Sequence, residues 1–401
     1  MRMRKSQRGF SLLELLVASS IGLGVVLMMT SLFKTGMDTT MKITQRAETQ
    51  QNMRAAIELM SKDISLAGAG LPSGGLQLAT AGVSKYGCDI YGTCYLTADT
   101  YPKSGAGNAN FMYPIEPGFS TGVQNASVIP QAPGQTNSSL TTAYCDYNFP
   151  LSNFGFTYPG GGTSANLTVN ANAVTSQPMN ILSPGGLQTG DLLLFQVASP
   201  GTGKAGDING NSMIQTAAVV ADITGISGTV GTTNCTPGGA CTWTINFAAG
   251  DPLNFNFTTG SNNISAVAAA AGGANAKTNV CRLQVVSYFL QVPTGGGTVE
   301  MPRLMRQVNG QKAVPVADGI INLQFTYDVI NAVTDTVVAN VQDPIGSGNS
   351  PSLIQKVNVW VMGQSLVTNG KRAQSMYLAT SVATRDMSFC NSYSSSTTQC
   401  Q

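Results

Sequence analysis

The sequence predicts an α+β protein in which a long N-terminal membrane helix packs on an antiparallel, β-rich domain. Three observations predict this fold: an apolar run near the start, an apolar stripe at helical spacing behind it, and β-branched segments in the second half. The 401 residues are enough for more than one ordinary domain. With 45 glycines and only 10% charged residues, the composition is typical of an exported β-rich protein with long loops.

The apolar run follows a basic start to the chain. It extends from Phe10 to Phe33, and Glu14 is its one charged residue. As a helix that rises ~1.5 Å per residue, about 24 residues measure roughly 36 Å, enough to cross a hydrocarbon core of about 30 Å. A secretory signal has a shorter apolar stretch, so we expect this run to be retained. The positive-inside rule keeps the basic residues in the cytoplasm and places the rest of the chain beyond the membrane. These basic residues are Arg2, Arg4, Lys5 and Arg8.

Glu14 is an anomaly within this run. A carboxylate inside a membrane helix costs on the order of 2.5–3.5 kcal/mol, and such residues usually have a partner and a function. We therefore expect Glu14 to have a partner. The simpler alternative is a plain signal anchor that tolerates a carboxylate near its cytoplasmic end.

The helix is expected to continue beyond the membrane. Residues 34–67 contain no proline, and apolar residues then recur at spacings of three and four, which predicts one helical face packed on a domain. Gly68, Gly70 and Pro72 should end the helix. The stripe consists of Met53, Ala56, Ile57, Met60, Ile64 and Ala67.

Strand signals are weak from residue 73 to about 180 and stronger after that. An antiparallel sheet leaning on the helix stripe is the expected architecture. Asn209-Gly210, Asn309-Gly310 and Asn369-Gly370 are turn signals suited to hairpins. The predicted strands are Asp191–Ala198, Met213–Ile223, Thr242–Phe247, Leu283–Val292, Ile320–Val329, Val357–Met362 and Met376–Thr384.

Eight cysteines form an even set, which favours disulfides in an oxidising compartment. Three pairs are close in sequence and would fasten loops locally: Cys88 with Cys94, Cys235 with Cys241, and Cys390 with Cys400. Cys145 with Cys281 follows by elimination, although eight cysteines allow 105 pairings. A zinc site is disfavoured because no C-x-x-C pair occurs and the chain has no histidine.

The absence of histidine also removes the commonest general base and every Ser-His or Cys-His nucleophile, so most hydrolase classes are excluded. No cofactor is expected. Asp207, Asn209 and Asn211 resemble the start of a calcium loop, but the pattern breaks at Ser212, and a plain Asn-Gly turn is the favoured interpretation. We therefore predict no metal, with calcium at these three residues as a weaker option.

A small basic patch lies outside the N-terminus, formed by Arg303, Arg306 and Lys312. Nucleic-acid binding would favour more cations with aromatic residues between them. We interpret the patch as a solvated strand edge guarded by cations.

The segment from Gly9 to Ala18, GFSLLELLVA, resembles the class III signal of type IV prepilins. In that family a short basic leader ends in glycine, phenylalanine begins the mature chain, and glutamate is its fifth residue. The resemblance implies that prepilin peptidase cuts between Gly9 and Phe10 and methylates the new amino group. It also implies that Glu14 faces the N-terminal ammonium of an adjacent subunit. A carboxylate and an ammonium in lipid offset each other only when two subunits meet in register.

Weaker resemblances extend further along the chain. Leu59 to Gly70 is similar to the end of the long helix in PilW-type minor pilins. Pro315 to Val329 is similar to the start of the C-terminal sheet in these proteins and in J-type pseudopilins. Two later segments, VNVWVMGQSLV and YLATSVATRDMSF, are similar to their last two strands.

The residues and the resemblance together predict a leader at 1–9, a helix at 10–67 that crosses the membrane at 10–33, and a periplasmic β-rich domain at 68–401 with a loop-rich insertion at about 73–300. The implied function is that of a non-catalytic minor pilin that helps to start type IV pilus assembly. A type II secretion pseudopilin is one alternative, and a membrane-anchored periplasmic adhesin or enzyme is another.

The implied partners are other pilins and minor pilins, prepilin peptidase, the inner-membrane assembly platform and membrane lipid, whereas nucleic acid is not expected. The implied location is the bacterial inner membrane and, after assembly, the pilus or pseudopilus. The large domain favours a few copies at the filament tip.

Overall fold

The computed structural model describes residues 11–71, 76–78, 111–118, 138–146, 149, 151, 155–159, 162–169, 186–200, 213–228, 241–257, 263–272, 277–291, 302–331, 336–342, 344, 351–365 and 374–384. The helices in these residues are α1 (Leu12–Leu66), α2 (Ile264–Ala271) and a short 3-10 helix (Pro351–Leu353). The strands are β1 (Leu76–Gln77), β2 (Phe111–Met112), β3 (Ile115–Gly118), β4 (Ser139–Cys145), β5 (Gly155–Thr157), β6 (Ser164–Val169), β7 (Leu192–Pro200), β8 (Met213–Asp222), β9 (Gly225–Gly228), β10 (Cys241–Asn246), β11 (Lys277–Gln291), β12 (Arg303–Val308), β13 (Val314–Asp318), β14 (Ile320–Ile330), β15 (Val337–Val341), β16 (Ile354–Gln364) and β17 (Ser375–Ala383).

The long helix α1 has 55 residues. Its predicted apolar stripe is confirmed: Met53, Ala56, Met60, Ile64 and Ala67 are fully buried, and Ile57 packs partly buried against the same core. The helix ends at Leu66. The glycines at 68 and 70 then have φ of 90° and 75°, a backbone conformation that glycine adopts without strain.

The C-terminal sheet has the strand order β15-β14-β16-β17, and every pairing in it is antiparallel. Side chains alternate across it: in β14, Leu323, Phe325 and Tyr327 are buried, whereas Gln324 and the other residues between them lie on the more open face. The predicted layout of a long helix and an antiparallel sheet is thus confirmed. The inward face of the sheet joins the α1 stripe in one core.

Among the described residues, three further sheets accompany the single sheet expected from the sequence, and the smallest of them pairs only β1 with β2. The seven-stranded central sheet has the order β13-β12-β11-β4-β3, with β7 also paired to β11 and β8 paired to β7. The insertion sheet has the order β5-β6-β10-β9 and shares a core with α2, β7 and β8. Most of these strands fall within the predicted insertion, so that region contains folded sheet as well as loop sequence.

All seven predicted strands occur with small differences at their ends, β11 being extended at its start. The turn predicted at Asn309-Gly310 also occurs, between β12 and β13, with φ of 51° and 68°. The turns at Asn209-Gly210 and Asn369-Gly370 lie outside the described residues. The short strands β1 to β6 were not predicted because Gly, Thr, Ser and Asn dominate that part of the sequence.

Candidate functional site

The N-terminal half of α1 leaves its apolar side chains uncovered. From Leu12 to Ile43 the large ones are exposed, with Leu12 at 80% and Phe33 at 75%. An 18-residue window of this half has a mean hydropathy of 2.2, and none of it is buried. The helix is long and apolar enough to cross a membrane. An uncovered apolar surface of this kind marks a contact with lipid or with other subunits.

Glu14 forms part of the cap at the start of this half. The backbone N–H of Ser11 donates to Glu14 Oε2 at 3.1 Å, and the N–H of Leu13 donates to Ser11 Oγ at 3.2 Å. This reciprocal capping box provides acceptors for two backbone donors at a helix start, where N–H groups lack intrahelical partners. In the single chain, Glu14 is therefore held by its own backbone and exposed to whatever surrounds the helix.

The helix enters the domain near Thr49. Thr49 and Met53 pack on Gly363 of β16 so closely that a Cβ at position 363 would lie 2.8 Å from Met53 Sδ and 2.9 Å from Thr49 Cγ2. Such distances are shorter than real Cβ contacts. Glycine at 363 therefore permits the close approach of helix and sheet where α1 becomes buried.

Asp63 anchors the C-terminal end of α1 to the central sheet. Its side chain is buried, and Oδ1 accepts a hydrogen bond from the Tyr144 hydroxyl at 2.9 Å. Oδ2 accepts from the Tyr288 hydroxyl and from Arg306 Nε, the latter at 2.9 Å. The three partners come from the adjacent strands β4, β11 and β12. We call these four residues the Asp63 anchor.

Within the Asp63 anchor, burial shifts the pKa of each of the three partners of Asp63, and the charge and hydrogen bonds of Asp63 raise each pKa. Burial raises the pKa of Tyr144 and of Tyr288, and the negative charge of Asp63 and its hydrogen bonds raise both further. Burial lowers the pKa of Arg306, but the hydrogen bond and charge of Asp63 outweigh this effect and raise it overall. Both hydroxyls therefore stay protonated donors and Arg306 stays cationic, so the buried carboxylate has a donor on each oxygen.

The chain that follows the helix is also attached to β4. Gly68 N donates to Ala143 O at 3.0 Å, and Cys145 N donates to Ala69 O at 2.8 Å. Cys145 is joined to Cys281 of β11 by a disulfide, the pair reached by elimination from the sequence. The end of α1 thus meets a part of the central sheet that is held by both hydrogen bonds and a covalent link.

The prediction for the basic patch is wrong. Strand β12 pairs with β11 on one side and β13 on the other, so it is not an edge. Arg306 is largely buried in the Asp63 anchor, and Arg303 forms an exposed ion pair with Asp318 at 2.8 Å. Lys312 and Arg303 are exposed, as expected, whereas Arg306 is not. The alternation of side chains in a sequence shows which face of a strand is buried, but it does not show which strands lie on either side. The sequence therefore did not indicate that β12 is an inner strand.

The other predicted site residues lie outside the described chain. They are Gly9, Phe10, Cys88, Cys94, Cys235, Cys390, Cys400, Asp207, Asn209 and Asn211. Cys241 is described and begins β10. The sequence did not identify the role of Asp63, although a signal was present: an acidic residue three positions after Met60, on the same helical face as the stripe.

Besides Asp63, three carboxyl groups are buried among the described residues: Glu116, Asp222 and Asp251. Glu116 in β3 is 1% exposed, neither of its oxygens has a hydrogen-bond partner, and burial raises its pKa well above the usual range. Burial, with the negative charges of Asp251 and Asp191, raises the pKa of Asp222 to about 7. Within the described residues, no group of three or more His, Cys, Asp or Glu side chains is placed to hold a metal ion.

Comparison with protein families places a known signal over the start of α1. Residues 4–30 match the family described as the prokaryotic N-terminal methylation motif. The chain carries a type IV pilin-like prepilin signal. Searches of curated proteins and of solved structures find no match to this chain.

The pilin-like signal and the exposed helix agree with each other. The match covers the predicted Gly9-Phe10 junction, Glu14 and most of the apolar run. Together they fit a single-pass protein anchored in the membrane, processed by prepilin peptidase and assembled with other pilins. The family match ends at residue 30 and says nothing about the β-rich domain.

Proposed function

We propose that this chain is a minor pilin that helps to initiate assembly of a type IV pilus, with its β-rich domain in the periplasm. It is a structural subunit without catalytic activity. Membrane insertion stores the subunit, cleavage after Gly9 exposes the amino group of Phe10, and helix packing then draws the subunit into a filament.

The division of α1 into an exposed and a buried half carries this proposal. A helix that served only to hold a domain in the membrane would need an apolar surface but no carboxylate. Here cleavage after Gly9 would leave Glu14 four residues after the new N-terminus, at the start of the exposed half. Because an isolated charge in lipid is costly, its neutralisation by the ammonium of a neighbouring subunit favours assembly in one register.

The capping box suggests how Glu14 serves both the stored and the assembled state. In the single chain its carboxylate accepts one backbone hydrogen bond and satisfies the helix start. A carboxylate has further lone pairs, so an ammonium can bind the same group without removing the cap. Glu14 therefore remains available to a neighbour.

The size of the domain supports a minor rather than a shaft subunit. More than 300 residues follow α1. They form three sheets of four or more strands in the described part of the chain. Packing such a domain thousands of times along a shaft is sterically demanding, whereas a few copies at a tip are not. The domain therefore favours placement at the filament tip.

A type II secretion pseudopilin is the second candidate, because the same prepilin signal supports it. Deletion of the gene distinguishes the two: loss of surface filaments indicates a pilus, and loss of protein secretion with intact filaments indicates a pseudopilus. An anchored adhesin or enzyme differs from both, since it predicts an uncleaved N-terminus and indifference to Glu14→Ala.

The experiment combines N-terminal mass spectrometry with counting of the subunit in sheared filaments. We expect cleavage between Gly9 and Phe10 and N-methylation only in cells with prepilin peptidase. Glu14→Ala should still be cleaved and inserted, but its filament content should fall by about tenfold or more, since the ammonium of the neighbouring subunit would be left in lipid without its partner. Glu48→Ala, an exposed carboxylate further along α1, is the matched control and should retain its filament content. An unprocessed N-terminus in peptidase-competent cells contradicts the proposal.

A further inference from the structure

Strand β17 is an outer strand of the C-terminal sheet as the described residues form it. It pairs with β16 along its whole length, and no other described strand pairs with its far side. Its sequence, SMYLATSVA, contains no charged residue, proline or glycine. Natural sheets usually protect such edges with lysine, proline, a bulge or a covering segment, because an open edge is a template for another strand.

The hydrogen bonds at the two ends of β17 show which backbone groups point outward. Ser365 N donates to Gln374 O at 2.9 Å, and Thr384 N donates to Gln355 O at 3.1 Å. In an antiparallel pair, hydrogen-bonded residues alternate with residues whose backbone groups point away from the partner. The even-numbered residues of β17 therefore bond to β16. The odd-numbered residues direct N–H and C=O groups to the open side: Ser375, Tyr377, Ala379, Ser381 and Ala383.

The opposite edge of the same sheet is blunted. Asn340 of β15 has φ of 58°, and the register between β14 and β15 shifts between Tyr327 and Val329. The Asp328 carboxylate of β14 accepts the backbone N–H of Asn340 at 3.0 Å, which fixes this irregular backbone in place. Bulges of this kind interrupt strand addition. Within the described part of the chain, β17 is therefore the edge of this sheet that is suited to pairing.

The side chains of β17 are incompletely covered on both faces. Met376, Leu378 and Val382 pack against the core beneath α1 but are only partly buried. On the other face, Tyr377 is 70% exposed and stacks on Trp360 with ring centroids 6.2 Å apart. An added strand would cover apolar side chains on one face and lie beside an aromatic pair on the other, and both contacts favour binding.

We propose that the β17 edge receives an extended strand from a neighbouring pilin-like subunit of the filament, a step that rests on the proposed function. Helix α1 packs across both β16 and β17, so the edge lies beside the helix whose exposed half must meet the helices of other subunits. A subunit docked along α1 is therefore brought to the edge. The added strand is uncharged, with apolar residues at every second position on the side facing α1.

The first experiment uses the full chain in its own cells with p-benzoylphenylalanine in place of Ala379. Illumination should join position 379 to an extended segment of a second subunit that carries a prepilin signal, identified by mass spectrometry. The same photoreactive residue in place of Val337, exposed on the blunted β15 edge, is the matched control and should give no such adduct. When p-benzoylphenylalanine replaces Met28, on the exposed half of α1, it should give adducts with other pilin helices.

The second experiment removes one outward hydrogen-bond donor. Ala379→Pro deletes a backbone N–H that is not part of the β16 ladder, so the subunit should fold and be cleaved normally. Ala379→Val keeps the N–H and is the matched control. We expect Ala379→Pro to reduce filament content by about tenfold relative to Ala379→Val, through a lost hydrogen bond and a steric clash.

The outcomes separate the two proposals. Adducts from position 28 without adducts from position 379 would overturn the edge proposal and leave the pilin role intact. An adduct between position 379 and residues 366–373 or 385–401 of the same chain would also overturn it, because the edge would then be covered internally. An unprocessed N-terminus would count against the pilin role itself. If Ala379→Pro does not fold, the photocrosslinks decide.

Discussion

The two halves of α1 belong to one continuous helix but have opposite surroundings. From Leu12 to Ile43 the large apolar side chains are exposed, whereas from Thr49 onward one face is buried in the domain. The apolar content is high in the first half and confined to a stripe in the second. The difference shows that the domain of the same chain covers the stripe, whereas the first half needs lipid or other subunits to cover it.

One carboxylate from each half illustrates the same contrast, because the two have different kinds of partner. Glu14 accepts a hydrogen bond from the backbone of its own cap and is otherwise exposed. Asp63 is 2% exposed and accepts from three side chains on three strands. Removal of Asp63 should therefore affect folding of the single chain, and removal of Glu14 should affect contacts between chains.

Asp63→Ala is expected to give the largest effect on stability. It would leave Arg306 and two tyrosine hydroxyls buried without their acceptor, a loss of about 3–5 kcal/mol in the free energy of unfolding. Denaturant unfolding of the full chain in detergent measures it. Asp318→Ala is the matched control, because its ion pair with Arg303 is exposed and worth under about 1 kcal/mol. Equal losses in the two variants would show that the Asp63 anchor does not hold the helix.

Gly363→Ala tests the point where α1 enters the domain. The new Cβ would overlap Met53 and Thr49, and forced repacking in a core costs about 1–3 kcal/mol. The control is Gly225→Ala in β9, where the nearest atom would be 3.7 Å away and the change should be close to neutral. The midpoints of thermal unfolding compare the two. A stability for Gly363→Ala equal to that of the control would mean that helix and sheet separate there without cost.

Leu32→Ala should give the smallest effect on stability. Leu32 is 73% exposed, so truncation leaves no cavity, and the free energy of unfolding in detergent should change by less than about 0.5 kcal/mol. Met60→Ala, at a fully buried position of the same helix, should cost about 2–5 kcal/mol. A large loss in the free energy of unfolding of Leu32→Ala would contradict the contrast between the two halves, because it would mean that the domain covers the first half as well.

Much of the fold was predictable from local patterns. Spacings of three and four located the buried face of α1 from Met53 to Ala67, because a helix presents such residues on one side. Alternation of β-branched and apolar residues located β14, β16 and the other long strands. The class III resemblance at Gly9 to Ala18 located the signal that the family match covers.

What the sequence did not reveal is mostly non-local. The partners of Asp63 lie 81, 225 and 243 residues away, and no periodicity links such positions. Arg306 was taken for a solvated cation because its charge is visible in the sequence and its buried partner is not. The helix α2 is a different case: Asn263 caps a run rich in alanine, and this local signal was present but not used.

The Asp63 anchor also has a mechanical consequence if the subunit works in a filament. Tension along α1 would be transmitted to the domain through Tyr144, Tyr288 and Arg306, which lie on three neighbouring strands. The load would be divided among these strands at once, so that no single strand has to be peeled away alone. Two of them, β4 and β11, are also joined covalently through Cys145 and Cys281, which would keep them from sliding apart under tension.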